Sequence, residues 1–334
     1  MSFFKNIGFL FILTFFILNG LKSQKISGVN FVSPDSEASF SNFNSLTRIN
    51  AQWVAFNPYA FSRAKEPSVT FNYKHSWWGE QSDGITVMVE QAKKENLKIL
   101  LKPHVWVMGE GWCGQYDLST EKEWAAWEKD YARYILTYAK IAEKHKIEML
   151  CIGTEYKIAA TKRALFWRGL IKAIRKIYNG KVTYAANWDN YTNIKFWDEL
   201  DYIGIDAYFP LSQTKNANVK ELNQKWGKIK KELKDFSEQH KKKIIFTEFG
   251  YKSIHYTAWE QWEIENIKSS ENINIKAQEN AYSALFNNVW NQAWFEGGFL
   301  WKWYPNDTKS GGLKNSDYTP QHKPVEQIIK KYYK

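Results

Sequence analysis

Two glutamates in the 334-residue chain stand where acid–base chemistry would need them. Glu155 closes the segment Ile152-Gly153-Thr154-Glu155, and Glu248 sits inside Phe246-Thr247-Glu248-Phe249-Gly250. Each follows an apolar run, where a charge is costly unless it has a partner or a task. Two carboxyl groups flanking one bond are what glycoside hydrolysis requires. One protonates the leaving oxygen, while the other attacks the anomeric carbon or activates water. The competing reading makes each glutamate half of a barrel salt bridge with a nearby Lys or Arg. Two such residues beside aromatic side chains favour chemistry over structure.

For the pair to meet, the chain must bring two distant strand ends together. Short apolar runs at 26–32, 51–56, 98–103, 148–153, 181–185, 202–207, 243–247 and 298–301 predict strands buried on both faces, as in a parallel sheet. Amphipathic stretches at 84–95, 121–145, 162–178, 219–239 and 276–295 alternate with them. Thr120 and Glu123 form a capping-box start for the second stretch, and Asn179-Gly180 supplies a stop after the third. Shorter helices near 37–47 and 194–200 complete the alternation, and 57–83 reads as a functional loop. The fold class is therefore α/β, a single-domain (β/α)8 or TIM barrel over 24–334. An open doubly wound sheet is the alternative. Gly28 is the only glycine in Ser27-Gly28-Val29-Asn30, so the phosphate loop of a nucleotide site is missing.

Catalytic groups in a barrel sit at the C-terminal ends of the strands. The fourth and seventh runs end on roughly opposite sides of the mouth, so Glu155 and Glu248 can face each other across a sugar. Tyr208 is the nearest strand-end donor in the strand order, and it is assigned to orient Glu248. Trp301 is the candidate stacking platform beneath the sugar being cleaved. His104 and Trp106 would line a neighbouring subsite. Asn57, Asn187 and Trp188 are further substrate-binding candidates, and Asp206 reads as the buried partner of an Arg or Lys. Glu155 must begin protonated, so an apolar wall and a negative nucleophile should raise its pKa.

The two glutamates at the fourth and seventh strand ends resemble those of the retaining glycoside hydrolases of clan A. Within that clan the chain is most similar to family 113, the single-barrel β-mannanases. The resemblance runs over essentially the whole chain after the leader. It is carried by Gly153-Thr154-Glu155, Ile205-Asp206-Ala207-Tyr208, Thr247-Glu248-Phe249-Gly250, Trp301-Lys302-Trp303-Tyr304 and Pro320-Gln321-His322-Lys323-Pro324. It implies Glu155 as acid/base, Glu248 as nucleophile, and a mannan endo-1,4-β-mannosidase-like activity with no metal or cofactor. Many clan members carry Asn before the acid/base to contact the sugar 2-hydroxyl; here that position is Thr154.

Composition narrows the partners. Of 17 Trp, 19 Tyr and 21 Phe, most of the Phe read as core, whereas so many Trp are harder to absorb there, and Trp and Tyr suit stacking against sugar rings. Trp77-Trp78-Gly79 and Trp112, in long loops, would extend a polysaccharide cleft. The net charge of +11 comes from lysines spread over helix-like stretches such as 225–234, a solvated shell without a nucleic-acid motif. Lys5, the apolar run 7–18 and the small or polar residues after it have the layout of a secretory signal peptide at 1–23. A secreted or periplasmic protein without stable membrane insertion is expected. Neither Cys113 nor Cys151 belongs to a zinc-type spacing, and Cys151 reads as a buried free thiol. The expected partner is a mannan-type β-linked polysaccharide or oligosaccharide. The same chemistry on another β-glycan, and a non-catalytic glycan-binding barrel, are the alternatives.

Overall fold

Strand β1 (Ile26–Phe31) is buried along its whole length, as its apolar run requires. A computed structural model describes residues 24–109, 112–260, 263 and 272–334, so the expected leader lies outside the described residues. The other expected strands form as β2 (Trp53–Phe56), β3 (Lys98–Leu101), β4 (Met149–Thr154), β5 (Lys181–Asn187), β6 (Ile203–Asp206), β7 (Ile244–Phe249) and β8 (Phe295–Trp303). They pair in sequence order, all parallel, and β8 closes the barrel against β1 with Asn30 opposite Trp301. The fold is the expected (β/α)8 barrel.

Helices α1 (Ser82–Lys94), α2 (Glu121–Lys144), α3 (Lys157–Lys162), α4 (Ala164–Arg175), α5 (Val219–His240), α6 (Ile275–Leu285) and α7 (Val325–Tyr332) surround it. The Thr120 hydroxyl accepts from the Glu123 amide at 3.2 Å, and Glu123 accepts from the Thr120 amide at 2.8 Å, the expected capping box of α2. On α5, Lys231 pairs with Asp235 at 2.6 Å and Lys234 with Glu238 at 3.7 Å, so these lysines coat a solvated face. Among the described residues no helix is long and apolar enough to cross a membrane.

Several expectations need correction. The stretches near 37–47 and 194–200 form only short 3-10 turns, Glu37–Ser39 and Asn44–Ile49, then Tyr191–Asn193 and Trp197–Glu199. The third amphipathic stretch forms as α4, preceded by the short helix α3, which was not expected, and the last one loosens into a π turn at Phe286–Trp290 after α6. The segment 57–83 is not all loop. Its strands Tyr59–Arg63 and Thr70–Phe71 join His104–Met108, which follows Pro103, in a small sheet beside the mouth.

The tryptophan surplus also finds a different home. Trp127, Trp167, Trp197, Trp226, Trp290 and Trp303 are fully buried. Trp127 stacks on Tyr131 at 4.7 Å and Trp167 on Phe196 at 5.6 Å. Large aromatic rings thus fill the layer between sheet and helices, a structural use that accounts for much of the composition. The barrel interior is filled separately by a smaller set, among them Ile26, Ala55, Leu100, Met149, Cys151 and Phe299. Cys113 and Cys151 are both buried free thiols.

Gly28 serves this interior rather than a phosphate. A Cβ there would lie 2.3 Å from the Phe299 ring. Gly28→Ala is therefore expected to destabilise the fold by about 1–3 kcal/mol through overpacking. Thermal denaturation would test this, and an unchanged midpoint would show that the ring can move aside. The C-terminal residues pack back onto the start of the barrel: Tyr333 donates to the Gly28 carbonyl at 2.8 Å, and the Gln24 amide to the Lys334 carbonyl at 2.8 Å.

Candidate active site

Side chains alternate along a strand, so residues two positions beyond an inward core residue also face inward. Gly28 leads to Asn30, Leu100 to Lys102, Ala185 to Asn187, and Phe299 to Trp301. The polar ring at the mouth is thus the next layer above the apolar barrel filling. Strands β4 and β7 depart from this rhythm. On β4 the register shifts between Cys151 and Thr154, and a Cβ at Gly153 would meet Tyr131 and Trp167 of the helix layer, so Glu155 is brought to the mouth by the irregular strand end. On β7 a register shift between Phe246 and Glu248 sets Glu248 level with Asp206 of β6.

Glu248 is 8% exposed and accepts from the Tyr208 hydroxyl at 2.7 Å, the partner expected from strand order. Its other oxygen is in direct contact with the Lys102 ammonium. Lys102 is 1% exposed and lies 3.8 Å from Asp206, which is wholly buried. Burial alone would favour the neutral amine. The Asp206 and Glu248 charges outweigh it and hold Lys102 protonated. Burial first, then the Glu248 charge, push the Asp206 carboxyl well above its usual range, against Lys102 and the Thr247 hydroxyl bonded to it at 2.7 Å. Asp206 therefore has the buried Lys partner that its setting predicted. The cation's closest contact is with Glu248.

Glu155 stands across from this cluster. Its backbone adopts φ 54°, the left-handed region that a non-glycine residue enters at a cost of about 1–2 kcal/mol. The turn is pinned by its amide donating to the Ala185 carbonyl at 2.8 Å. Strain held in place at a strand end is a mark of functional positioning. The carboxyl accepts from the Trp112 indole at 2.6 Å and is partly open to the mouth. Burial, then the nearby Glu248 charge, push its pKa up to about 7, while the Trp112 bond and Lys102 pull the other way. Thr154, two per cent exposed, turns away: its hydroxyl reaches the Pro103 carbonyl at 3.4 Å, so it lines the wall rather than the mouth.

A cavity of about 580 Å³ opens beside the pair, on the β8–β1–β2 side. Trp301, Trp106 and Asn57 line it together with Tyr59, Trp77 and Glu80. Trp301 also faces the Lys102 ammonium at 5.9 Å. His104 is not on the lining of this cavity, and its Nε2 is buried without a partner among the described residues. Its ring meets Tyr59 edge-on at 5.0 Å, and burial, then Lys102, lower its pKa to about 3, which keeps it neutral. Asn187 and Trp188 lie on the opposite side. The Asn187 amide donates to Asp189 at 3.1 Å, and Trp188 packs against Phe209 at 5.9 Å. Of the loop aromatics, Trp77 is half-exposed at the cavity, Trp78 packs against Phe40 at 6.2 Å, and Trp112 serves Glu155.

Three contributors escaped sequence reasoning. Lys102 had a signal, a lysine ending an apolar run just before Pro103. The Trp112–Glu155 bond and the placement of Glu80 had none, because both come from long loops. The C-terminal loop supports the mouth as well. Asp317 holds the Tyr304 hydroxyl at 2.6 Å, and Lys323 is bonded to the Asp317 carbonyl at 2.8 Å.

An activity that uses Glu155 as a proton donor should lose kcat/KM as pH rises through about 7, because deprotonation removes the acid. The limb should vanish in Glu155→Ala assayed on a substrate that needs no proton. If the wild-type profile stayed flat across that pH range, another group would be the donor.

A closed (β/α)8 barrel carrying two strand-end carboxyls, one raised and one paired with a buried cation, is the build of a glycoside hydrolase. The profile of Glycoside Hydrolase Family 113 matches residues 29–323, and the chain belongs to that family. The fold is shared with the GH113 β-mannanase AaManA from Alicyclobacillus acidocaldarius, solved in complex with ManMIm. The TM-score is 0.79 at 23% identity, over 93% of this chain and 97% of that one. A GH113 β-1,4-mannanase superposes with a TM-score of 0.77 at 27% identity, over 93% and 99% of the two chains. A β-glucuronidase from Ruminococcus gnavus is more distant, with a TM-score of 0.60, 12% identity, and 93% and 50% coverage. No curated protein sequence matched.

Proposed function

We propose that the protein is a retaining endo-β-1,4-mannanase in which Glu155 is the acid/base and Glu248 the nucleophile. The observation that carries the mechanism is the unequal setting of the two carboxyls, one proton-holding near pH 7 and the other held by Lys102 and Tyr208. In the first step Glu155 gives its proton to the glycosidic oxygen as the anomeric carbon–oxygen bond breaks. The Glu248 carboxylate forms the new bond to that carbon, and the shortened chain leaves. Loss of the Glu248 charge lowers the proton affinity of Glu155, which then takes a proton from water. The resulting hydroxide breaks the ester and restores both residues, with the anomeric configuration retained.

Mannan as substrate is supported by family membership and by the 27%-identical β-1,4-mannanase. Reducing-sugar release from mannan, glucomannan, cellulose and xylan tests it. Mannan-type polymers should be cut first, and internal cleavage should give a ladder of products. Release from cellulose or xylan alone would reject the sugar assignment and leave the carboxylate roles standing. The layout of residues 1–23 supports action outside the cytoplasm. N-terminal sequencing of protein recovered from the culture medium or periplasm would test that.

A further inference from the structure

The cavity beside the catalytic pair has a side. Glu155 ends β4, and the group it protonates must leave on that side of the mouth. The cavity is lined mainly from β1, β8 and the segment that follows β2, with Trp106 as the one contribution from beyond β3, so most of it lies across the barrel from β4 and takes the non-reducing part of the chain being cleaved. Its walls are aromatic: Tyr59, Trp77, Trp106 and Trp301 present flat faces suited to sugar rings. Two acceptors interrupt them. Asn57 is 5% exposed, and its amide nitrogen donates to the Asn30 oxygen at 3.5 Å, while its own carbonyl oxygen is buried without a partner. Glu80 lines the same cavity and makes no ion pair with the described residues. Of the other charged or titratable groups on the lining, Lys302 is taken by Asp317 at 3.5 Å, the Tyr304 hydroxyl donates to Asp317 at 2.6 Å, burial keeps the Tyr59 phenol neutral, and His75 is exposed at the rim.

A buried acceptor without a donor marks a place where something else supplies one. A carboxyl set in an aromatic wall has lost hydration without gaining a cation. Burial pushes Glu80 up to about 7, and the Trp77 amide only partly offsets this. Sugar hydroxyls satisfy both residues at once, since each is a donor and neither Asn57 Oδ1 nor an ionised Glu80 can donate.

We infer that Glu80 and Asn57 form an acceptor pair that binds hydroxyl groups of a neutral hexose on the non-reducing side of the scissile bond. The same pair excludes a carboxylated sugar there, because a uronate would set one more anion against Glu80. The inference rests on Glu155 as the proton donor, and it adds a determinant of substrate class that the catalytic pair does not supply.

The test is calorimetric binding to the full chain carrying Glu248→Ala, at about pH 8.5 so that Glu80, raised to about 7, is ionised. The probes are β-1,4-linked tetrasaccharides of mannose, glucose, xylose and mannuronic acid. A neutral tetrasaccharide should bind, and the mannuronate should bind at least tenfold more weakly. Adding Glu80→Ala should weaken the neutral ligand by about 10–100-fold, the range for hydrogen bonds to a charged group. Adding Glu80→Gln, which keeps size and one acceptor, should weaken it less and should narrow the gap to the mannuronate. Neutral binding unchanged in both Glu80 variants would overturn the inference. So would equal binding of the mannuronate while Glu80 is intact, or no neutral binding at all. If glucose or xylose oligomers bound best, the mannan reading would fail, and Glu80 would be judged on that ligand.

Discussion

Glu155→Ala is expected to lose about 10²–10⁴ in kcat on mannan, the span that a positioned general acid contributes. On an aryl glycoside whose leaving group departs unprotonated, the first step should survive. Glycosyl–enzyme would then accumulate as a burst, because no base remains to activate water. Azide needs no such base, so it should restore turnover and yield a glycosyl azide of unchanged anomeric configuration. The setting of Glu155 makes the test discriminating: its proton affinity is raised by burial and by the facing carboxylate. Equal losses on both substrate types, with no rescue, would show that the residue holds structure instead. An inverted azide product would overturn the double displacement.

The second large effect is expected at Lys102. Removing one partner of a buried ion pair costs about 3–5 kcal/mol, because the other charge is left uncompensated. In Lys102→Met, Glu248 would face Asp206 with no cation between them, and its carboxylate form would be disfavoured. Carried into the transition state, the lower figure alone is about a hundredfold in kcat/KM. The readout separates this from a packing defect: the loss should fall on kcat for correctly folded protein. A lowered melting temperature with kcat unchanged would assign Lys102 to stability alone. Lys102→Arg keeps the charge but brings a planar group larger than the site, so partial recovery is expected.

The barrel was legible because its strands are buried on both faces and so read as short apolar runs with polar ends. The same property exposed Glu155 and Glu248, since a carboxyl at the end of such a run has few structural excuses. Elements that depend on tertiary support were harder to read. The strands at Tyr59–Arg63 and His104–Met108 lie in a small side sheet, and Pro103 between β3 and the second of them hides the continuity. The short helix α3 lies before the expected stretch at 162–178 and was not read. Arg163, which divides it from α4, pairs with Glu121 at 2.8 Å and with Glu128 at 2.7 Å. Lys102 was missed because lysine is expected at the surface, and only the two-residue step from Leu100 turns it inward. Trp112 was read as a cleft wall. Its hydrogen bond to Glu155 spans 43 positions, and no local pattern encodes that.

The contact between Gln24 and Lys334 has a practical corollary. The two residues touch at the end of the barrel where β1 begins, while the groups of the candidate site lie where the strands finish. A tether or a solid support joined at Lys334 would hold the protein by its base. The mouth would then point outward, free to engage a polymer too long to diffuse to it.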